Sequence, residues 1–199
     1  KQREAVEFNS GPHMIVAGAG SVKTRVLMNK IAYLIEEKEY DPAEILALTF
    51  TNKAAKEMKE RIKGLIGKKA EKLWMGTFHS IFARILRVES DKLKYRSNYS
   101  IYDREDSQSL VSNIMSNLNI NLENLSPNGV QHKISFMKNQ MITPEEYLKN
   151  IATTPSDRKL GEIYSEYNKR LFENNSMDFD DLLLKPIELF ANNEKVLSK

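Results

Sequence analysis

Residues Ala17-Gly18-Ala19-Gly20-Ser21-Val22-Lys23-Thr24-Arg25 constrain the fold of this chain more than any other stretch. The apolar run Met14-Ile15-Val16-Ala17 leads into it and reads as a buried strand, while Val26, Leu27, Ile31, Leu34 and Ile35 lead out of it at helical spacing. Strand, loop of small residues, Lys-Thr and helix, in that order, is the layout of a phosphate-binding loop. Small residues let successive backbone N–H groups close around an anionic oxygen, and the helix N-terminus adds its partial positive charge. In such a loop Lys23 reaches the β- and γ-phosphates of a nucleotide and the Thr24 hydroxyl ligates Mg²⁺. Val22 breaks the usual Gly-Lys-Thr ending. If that position needs φ > 0, a β-branched residue there carries about 1–3 kcal/mol of strain and also crowds the phosphates. The competing reading, an Ala/Gly turn with an incidental lysine, accounts for the glycines but not for the ordered Ser-x-Lys-Thr.

The rest of the first half alternates strand and helix. Gln2 to Phe8 reads as a short helix, and Asn9-Ser10-Gly11-Pro12 as a turn. Ile45 to Phe50 and Leu73 to Phe78 read as buried strands. A helix opens at Thr51 or Asn52 and ends at Gly64 and Gly67, and another runs from His79 to Arg87. This alternation predicts a parallel sheet covered by helices, an α/β fold. Tyr99 to Tyr102 reads as one more short strand. From Arg104 onward only helical patterns are visible: Ser107–Leu118, Val130–Lys138, Pro144–Ile151 after a Thr143 cap, Asp157–Asn174 and Phe179–Phe190.

Composition narrows the class. A chain of 199 residues with 41% hydrophobic and 29% charged residues suits one sizeable domain, or one with an insertion. A net charge of +3 permits an anionic partner without demanding one, and the absence of cysteine excludes disulfides and thiolate metal sites. No apolar run approaches the roughly 20 residues that span a bilayer, and no signal peptide is visible, so the expected location is cytoplasmic, without a membrane partner. His13 and His132 lack partners at metal-ligand spacing. Asp178 and Asp181 read as a helix cap with an acidic first turn. The basic run Lys53, Lys56, Lys59, Arg61 and Lys63 is interrupted by Glu57 and Glu60 and reads as a solvated helix face.

Several stretches stand in a telling order: Gln2-Arg3-Glu4-Ala5-Val6, then Ala17 to Arg25, then Thr49-Phe50-Thr51-Asn52-Lys53-Ala54-Ala55-Lys56-Glu57-Met58. Gly76-Thr77-Phe78-His79-Ser80 and Met177-Asp178-Phe179-Asp180-Asp181-Leu182-Leu183 follow. Across essentially its whole length the chain resembles the N-terminal part of superfamily 1 DNA helicases of the UvrD/PcrA/Rep type. The resemblance implies a RecA-like P-loop NTPase parallel sheet flanked by helices, with an all-helical subdomain in the C-terminal half. It places the first RecA-like domain at residues 1–103, and a helical insertion with a return segment at 104–199. It implies ATP and Mg²⁺ as cofactors, and single-stranded DNA and duplex junctions as partners, with translocation in the 3′ to 5′ direction. Further motor domains and repair or replication proteins are also expected partners.

The same resemblance assigns residues. Lys23 and Thr24 match the catalytic phosphate and Mg²⁺ residues within the loop Ala17, Gly18, Ala19, Gly20, Ser21, Val22. Gln2 matches a glutamine that reads the adenine edge, and Arg25 an arginine lying against the adenine. Phe50, Thr51, Asn52 and Lys53, with Thr77, Phe78, His79 and Ser80, match segments that line the single-strand track. Phe50 is the base-stacking candidate, since stacking on an aromatic ring ignores sequence. Each has a plainer rival: Phe50 as core, His79 as a helix cap. The acidic Asp-Glu pair that holds Mg²⁺ in such motors is not found; Asp103 is the one acid after a strand-like run. The 199 residues alone are therefore expected neither to hydrolyse ATP at a useful rate nor to unwind DNA. Two alternatives stand beside this: a non-enzymatic DNA-binding or scaffolding module with a decayed loop, and an unrelated P-loop enzyme such as a small-molecule kinase.

Overall fold

In the computed structural model, residues 2–16, 22–120 and 126–198 are described, Val22 by its backbone only. Residue contacts divide the chain into two compact units, Lys1–Ile81 and Phe82–Lys199.

The first unit is a parallel strand pair with helices packed on it. Helix α1 (Gln2–Glu7) precedes helix α2 (Val22–Glu36), strand β1 (Leu46–Thr49), helix α3 (Asn52–Ile66) and strand β2 (Trp74–Thr77). β1 and β2 pair in parallel from Leu46↔Trp74 to Thr49↔Thr77. Parallel neighbours need a crossover, and α3 with the 3-10 segment Gly67–Lys72 supplies it. Thr51 starts α3 by accepting from the Ala54 N–H, 3.2 Å. Gly67, at φ 59, ends α3 with its N–H on the Lys63 carbonyl, a conformation that favours glycine. Met28, Ile31 and Ile35 of α2 meet Met58, Ile62 and Ile66 of α3 over Ala47 and Met75. Their three- and four-residue spacing puts each set on one helix face.

Two expectations need correction here. Met14–Ile15–Val16 form no strand; their side chains are 86%, 40% and 83% exposed. An apolar run alone does not make a strand without a neighbour to take its backbone hydrogen bonds. Among the described residues the strands also form two separate pairs rather than one sheet.

The second unit contains most of helix α4 (Phe78–Val88), then strand β3 (Ser100–Tyr102), helices α5 (Arg104–Asn117), α6 (Pro127–Asn139), α7 (Pro144–Asn150) and α8 (Pro155–Glu173), strand β4 (Ser176–Asp178), and helices α9 (Asp181–Asn192) and α10 (Glu194–Leu197). Capping boxes at Asp103, Thr143 and Thr154 open α5, α7 and α8, so Asp103 is a helix cap here. Val111, Ile114, Val130, Ile134, Ile163, Tyr167 and Leu171 fill the core among α5, α6 and α8. The C-terminal half is not wholly helical: β4 pairs in parallel with β3, from Ser100↔Ser176 to Tyr102↔Asp178. A three-residue strand with a distant partner leaves no local pattern to read.

Candidate functional site

The parallel register has a direct consequence. Thr49 and Thr77 are partners, so the chain leaves β1 and β2 at the same edge of the pair. Ligands bind in parallel α/β sheets outside the carboxyl ends of the strands. Phe50 and Phe78 stand there with ring centroids 5.5 Å apart and planes tilted by 37°. Phe50 is 89% exposed and is not core. A phenylalanine left in water forgoes about 1.5–3 kcal/mol of burial, a cost that a ligand with an apolar face would recover.

The polar groups around the two rings differ in availability. Asn52 and Lys53 are exposed at the start of α3, where the helix N-terminus favours anions. The Thr51 hydroxyl is engaged by the Ala54 N–H. Thr77 is buried and caps α4: its hydroxyl accepts from the Ser80 N–H at 3.2 Å, while the Ser80 hydroxyl donates to the Thr77 carbonyl at 2.9 Å. The α4 cap is thus Thr77, with half-buried His79 inside the first turn. Gly76 keeps this turn tight, since a Cβ there would lie 2.5 Å from Ser80 Oγ.

Ala17, Gly18, Ala19, Gly20 and Ser21 lie outside the described residues. α2 begins at Val22, so this residue has helical backbone and the strain foreseen for φ > 0 does not arise. Lys23 and Arg25 are exposed and Thr24 half-buried in the first turn, which holds no acidic residue. α1, carrying exposed Gln2, packs on α2. The Lys30 ammonium of α2 donates to the Phe8 carbonyl and to Asn9 Oδ1, clamping the end of α1 to α2. Burial lowers the Lys30 pKa from its ordinary value. Gln2 and the Lys23–Arg25 turn therefore ride on two joined helices. That donor set, a cation, a hydroxyl and a helix N-terminus without acids, suits a polyphosphate with its metal.

In the second unit a buried ion cluster lies under the β4–α9 turn. The Lys138 ammonium of α6 bonds Asp178 Oδ2 at 2.8 Å and Asp181 Oδ1 at 2.9 Å, and Tyr167 of α8 donates to Asp178 Oδ2 at 3.0 Å. Asp178 Oδ1 accepts from the Asp181 N–H at 2.8 Å, a bond across the turn. The residue at the N-cap position of α9 is Asp180, whose side chain makes no cap bond, so the expected cap at Asp178 is displaced to the end of β4. Lys138 was not legible, because its partners lie 40 and 43 residues downstream. Burial opposes the Lys138 charge, but the two carboxylates outweigh it and raise its pKa. Burial also raises the pKa of Asp181, against the pull of Lys138. Above the turn, Tyr102, Arg104, Gln131, His132, Phe179 and Asp180 line a cavity of about 320 Å³. There Arg104 Nη2 lies 2.9 Å from His132 Nε2.

The model of the UvrD/REP helicase N-terminal domain matches residues 1–199. The chain belongs to this family. It is 44% identical over 197 residues to the ATP-dependent DNA helicase PcrA of Staphylococcus aureus, covering 99% of this chain and 27% of that protein. The PcrA of Bacillus subtilis is 43% identical over 196 residues, covering 98% and 26%. The chain thus spans about a quarter of the length of the curated relatives it matches. Among the described residues no helix is long and apolar enough to cross a membrane, and no cluster of three or more His, Cys, Asp or Glu could hold a metal ion.

The cluster makes a testable demand on stability. Lys138→Ala leaves two carboxylates buried without their cation, and we expect it to cost about 3–5 kcal/mol. Lys133→Ala, at an exposed position, is expected to stay within about 0.5 kcal/mol. Because the folded pKa of Lys138 is raised above 10.5, its stabilisation is complete below that pH and fades as pH rises through the folded value. Urea unfolding of both variants at neutral pH measures the difference.

Proposed function

We propose that this chain is the N-terminal part of an ATP-dependent DNA helicase that moves 3′ to 5′ along single-stranded DNA. The observation that carries the reading is the exposed Phe50 beside Phe78 at the shared carboxyl edge of β1 and β2. Such a pair offers a sequence-tolerant stacking surface for bases. Asn52 and Lys53 would hold the neighbouring phosphates, which position a strand without reading it. Thr51, Thr77, His79 and Ser80 complete this stretch of the track; Thr77 would do so chiefly by fixing the turn that presents Phe78.

In this reading β1 and β2 belong to a RecA-like sheet spanning residues 1–103, and residues 104–199 form a helical insertion with its return segment. Lys23 and the N-terminus of α2, with the preceding loop Ala17–Ser21 and Val22, would hold the phosphates of ATP. Thr24 would hold Mg²⁺, Gln2 the adenine edge and Arg25 the adenine face. Bound ATP would supply the free energy for translocation. The family and the names of the relatives support this reading, as does the clamp that joins the helices of Gln2 and Lys23. With no Asp-Glu pair after a strand in the sequence, we propose that the 199 residues bind nucleotide without turning it over. The rival reading is a non-enzymatic DNA-binding module whose loop Val22 has disabled.

Two measurements test this. Phe50→Ala is expected to weaken binding of a fluorescent oligothymidylate by about 1–3 kcal/mol, or roughly 5- to 150-fold, with an unchanged unfolding midpoint. Unchanged affinity would remove the stacking role. Calorimetric titration of a Mg²⁺–ATP analogue into the chain and its Val22→Gly variant is expected to give Kd values within about threefold, or roughly 0.6 kcal/mol. Binding by the glycine form alone would favour the non-enzymatic rival.

A further inference from the structure

Residues 53–72 carry eight Lys or Arg against three Glu, a net +5 in a chain whose total is +3. The excess is concentrated on one face of α3. At 3.6 residues per turn, Lys56, Lys59 and Lys63 fall within about 60° of the helix circumference, with Lys53 about 60° further on. The buried Ala55, Met58, Ile62 and Ile66 are centred about 90° round the helix from that stripe. All four lysines are exposed, and among the described residues none of them forms an ion pair. Lys69, in the segment after the helix, differs: it meets Glu36 at 3.0 Å.

Glu60 shares the face, four residues after Lys56 and three before Lys63, yet among the described residues it pairs with neither. The stripe also starts where the aromatic pair ends: α3 begins two residues after Phe50, and its N-terminus adds positive potential there. From Lys53 to Lys63 it runs about 15 Å along the axis at 1.5 Å per residue. That length spans roughly four phosphates along one strand of a duplex at 3.4 Å each, and fewer of an extended single strand.

We infer that Lys56, Lys59 and Lys63 form a phosphate-backbone rail on α3 that carries the DNA strand onward from the Phe50 edge. The inference rests on the reading of that edge as a DNA site and extends the contact surface beyond Lys53. The rail reads no sequence; it contributes affinity through counterion release and so sets the salt dependence of binding.

The test is a salt titration of DNA binding to the 199-residue chain, with fluorescent single-stranded and duplex oligonucleotides in parallel. The triple variant Lys56→Gln, Lys59→Gln, Lys63→Gln keeps helix propensity and side-chain length while removing charge. Its slope of log K against log salt is expected to be shallower by about two for a single strand, or nearer three for a duplex. The arm that changes identifies the DNA form the rail takes. A control triple at exposed lysines of the second unit, Lys133→Gln, Lys149→Gln and Lys159→Gln, is expected to leave the slope unchanged. Equal slopes for the α3 variant and the unmodified chain in both arms overturn the inference, as does an equal drop in the control. If Phe50→Ala weakens binding while the α3 variant keeps its slope, the edge reading stands and the rail falls. If the unmodified chain binds neither oligonucleotide, both fall together.

Discussion

The pairing of Thr49 with Thr77 is the constraint on which the first unit's chemistry depends. An antiparallel pair would send the chain out of β1 and β2 at opposite edges and separate the two polar-aromatic segments. The parallel pair, crossed by α3, brings them to one edge and sets Phe50 beside Phe78. The core holds that register. A slip by one residue would turn Ala47 and Met75 away from Met28, Met58 and Ile62. Phe50 lies just past the end of β1, three residues beyond the buried Ala47, with its ring exposed.

The second unit solves a different problem. β3 and β4 are three residues each and cannot specify their pairing by length. The chain returns to β3 after four helices, α5 to α8, and the ion cluster fixes the point of return. Lys138 on α6 and Tyr167 on α8 both bond the carboxylate of Asp178, the last residue of β4. Burying these charges is costly, and apolar residues of similar volume would often serve stability as well. What the cluster supplies is a unique arrangement: only one placement of β4 and the start of α9 satisfies the ammonium and both carboxylates. The cavity lined by Phe179 and Asp180 borders that fixed turn.

Long elements with periodic faces and chemical caps were legible in the sequence. Thr143 opens α7 as its spacing to Glu146 implies, and Val130, Ile134 and Met137 mark the buried face of α6. The strands β1 and β2 were legible from their apolar runs, and so was the pair of segments at their ends. Met14–Val16 misled because apolar character does not supply a strand neighbour, and among the described residues these side chains stay exposed. β4 was missed because its only signal is its pairing with β3. The Lys138 cluster was invisible for the same reason, since charge neutralisation across 40 residues leaves no local trace. The cap at Thr77 rather than His79 follows from the buried end of β2, which places the Thr77 hydroxyl over the Ser80 N–H. The lysines of α3 were present in the sequence as an interrupted basic run, but they gained meaning only once the structure showed Lys56, Lys59 and Lys63 exposed and, among the described residues, without ion pairs.

The central claim is that the carboxyl edge of the β1–β2 pair is where this chain holds a DNA strand. The most direct measurement is a titration of the isotope-labelled chain with a short oligothymidylate, read by amide chemical shifts. The account predicts that the largest shifts map to residues 50–53 and 77–80, with smaller ones along α3. Shifts confined to α5–α9, with the β1–β2 edge silent, would contradict it.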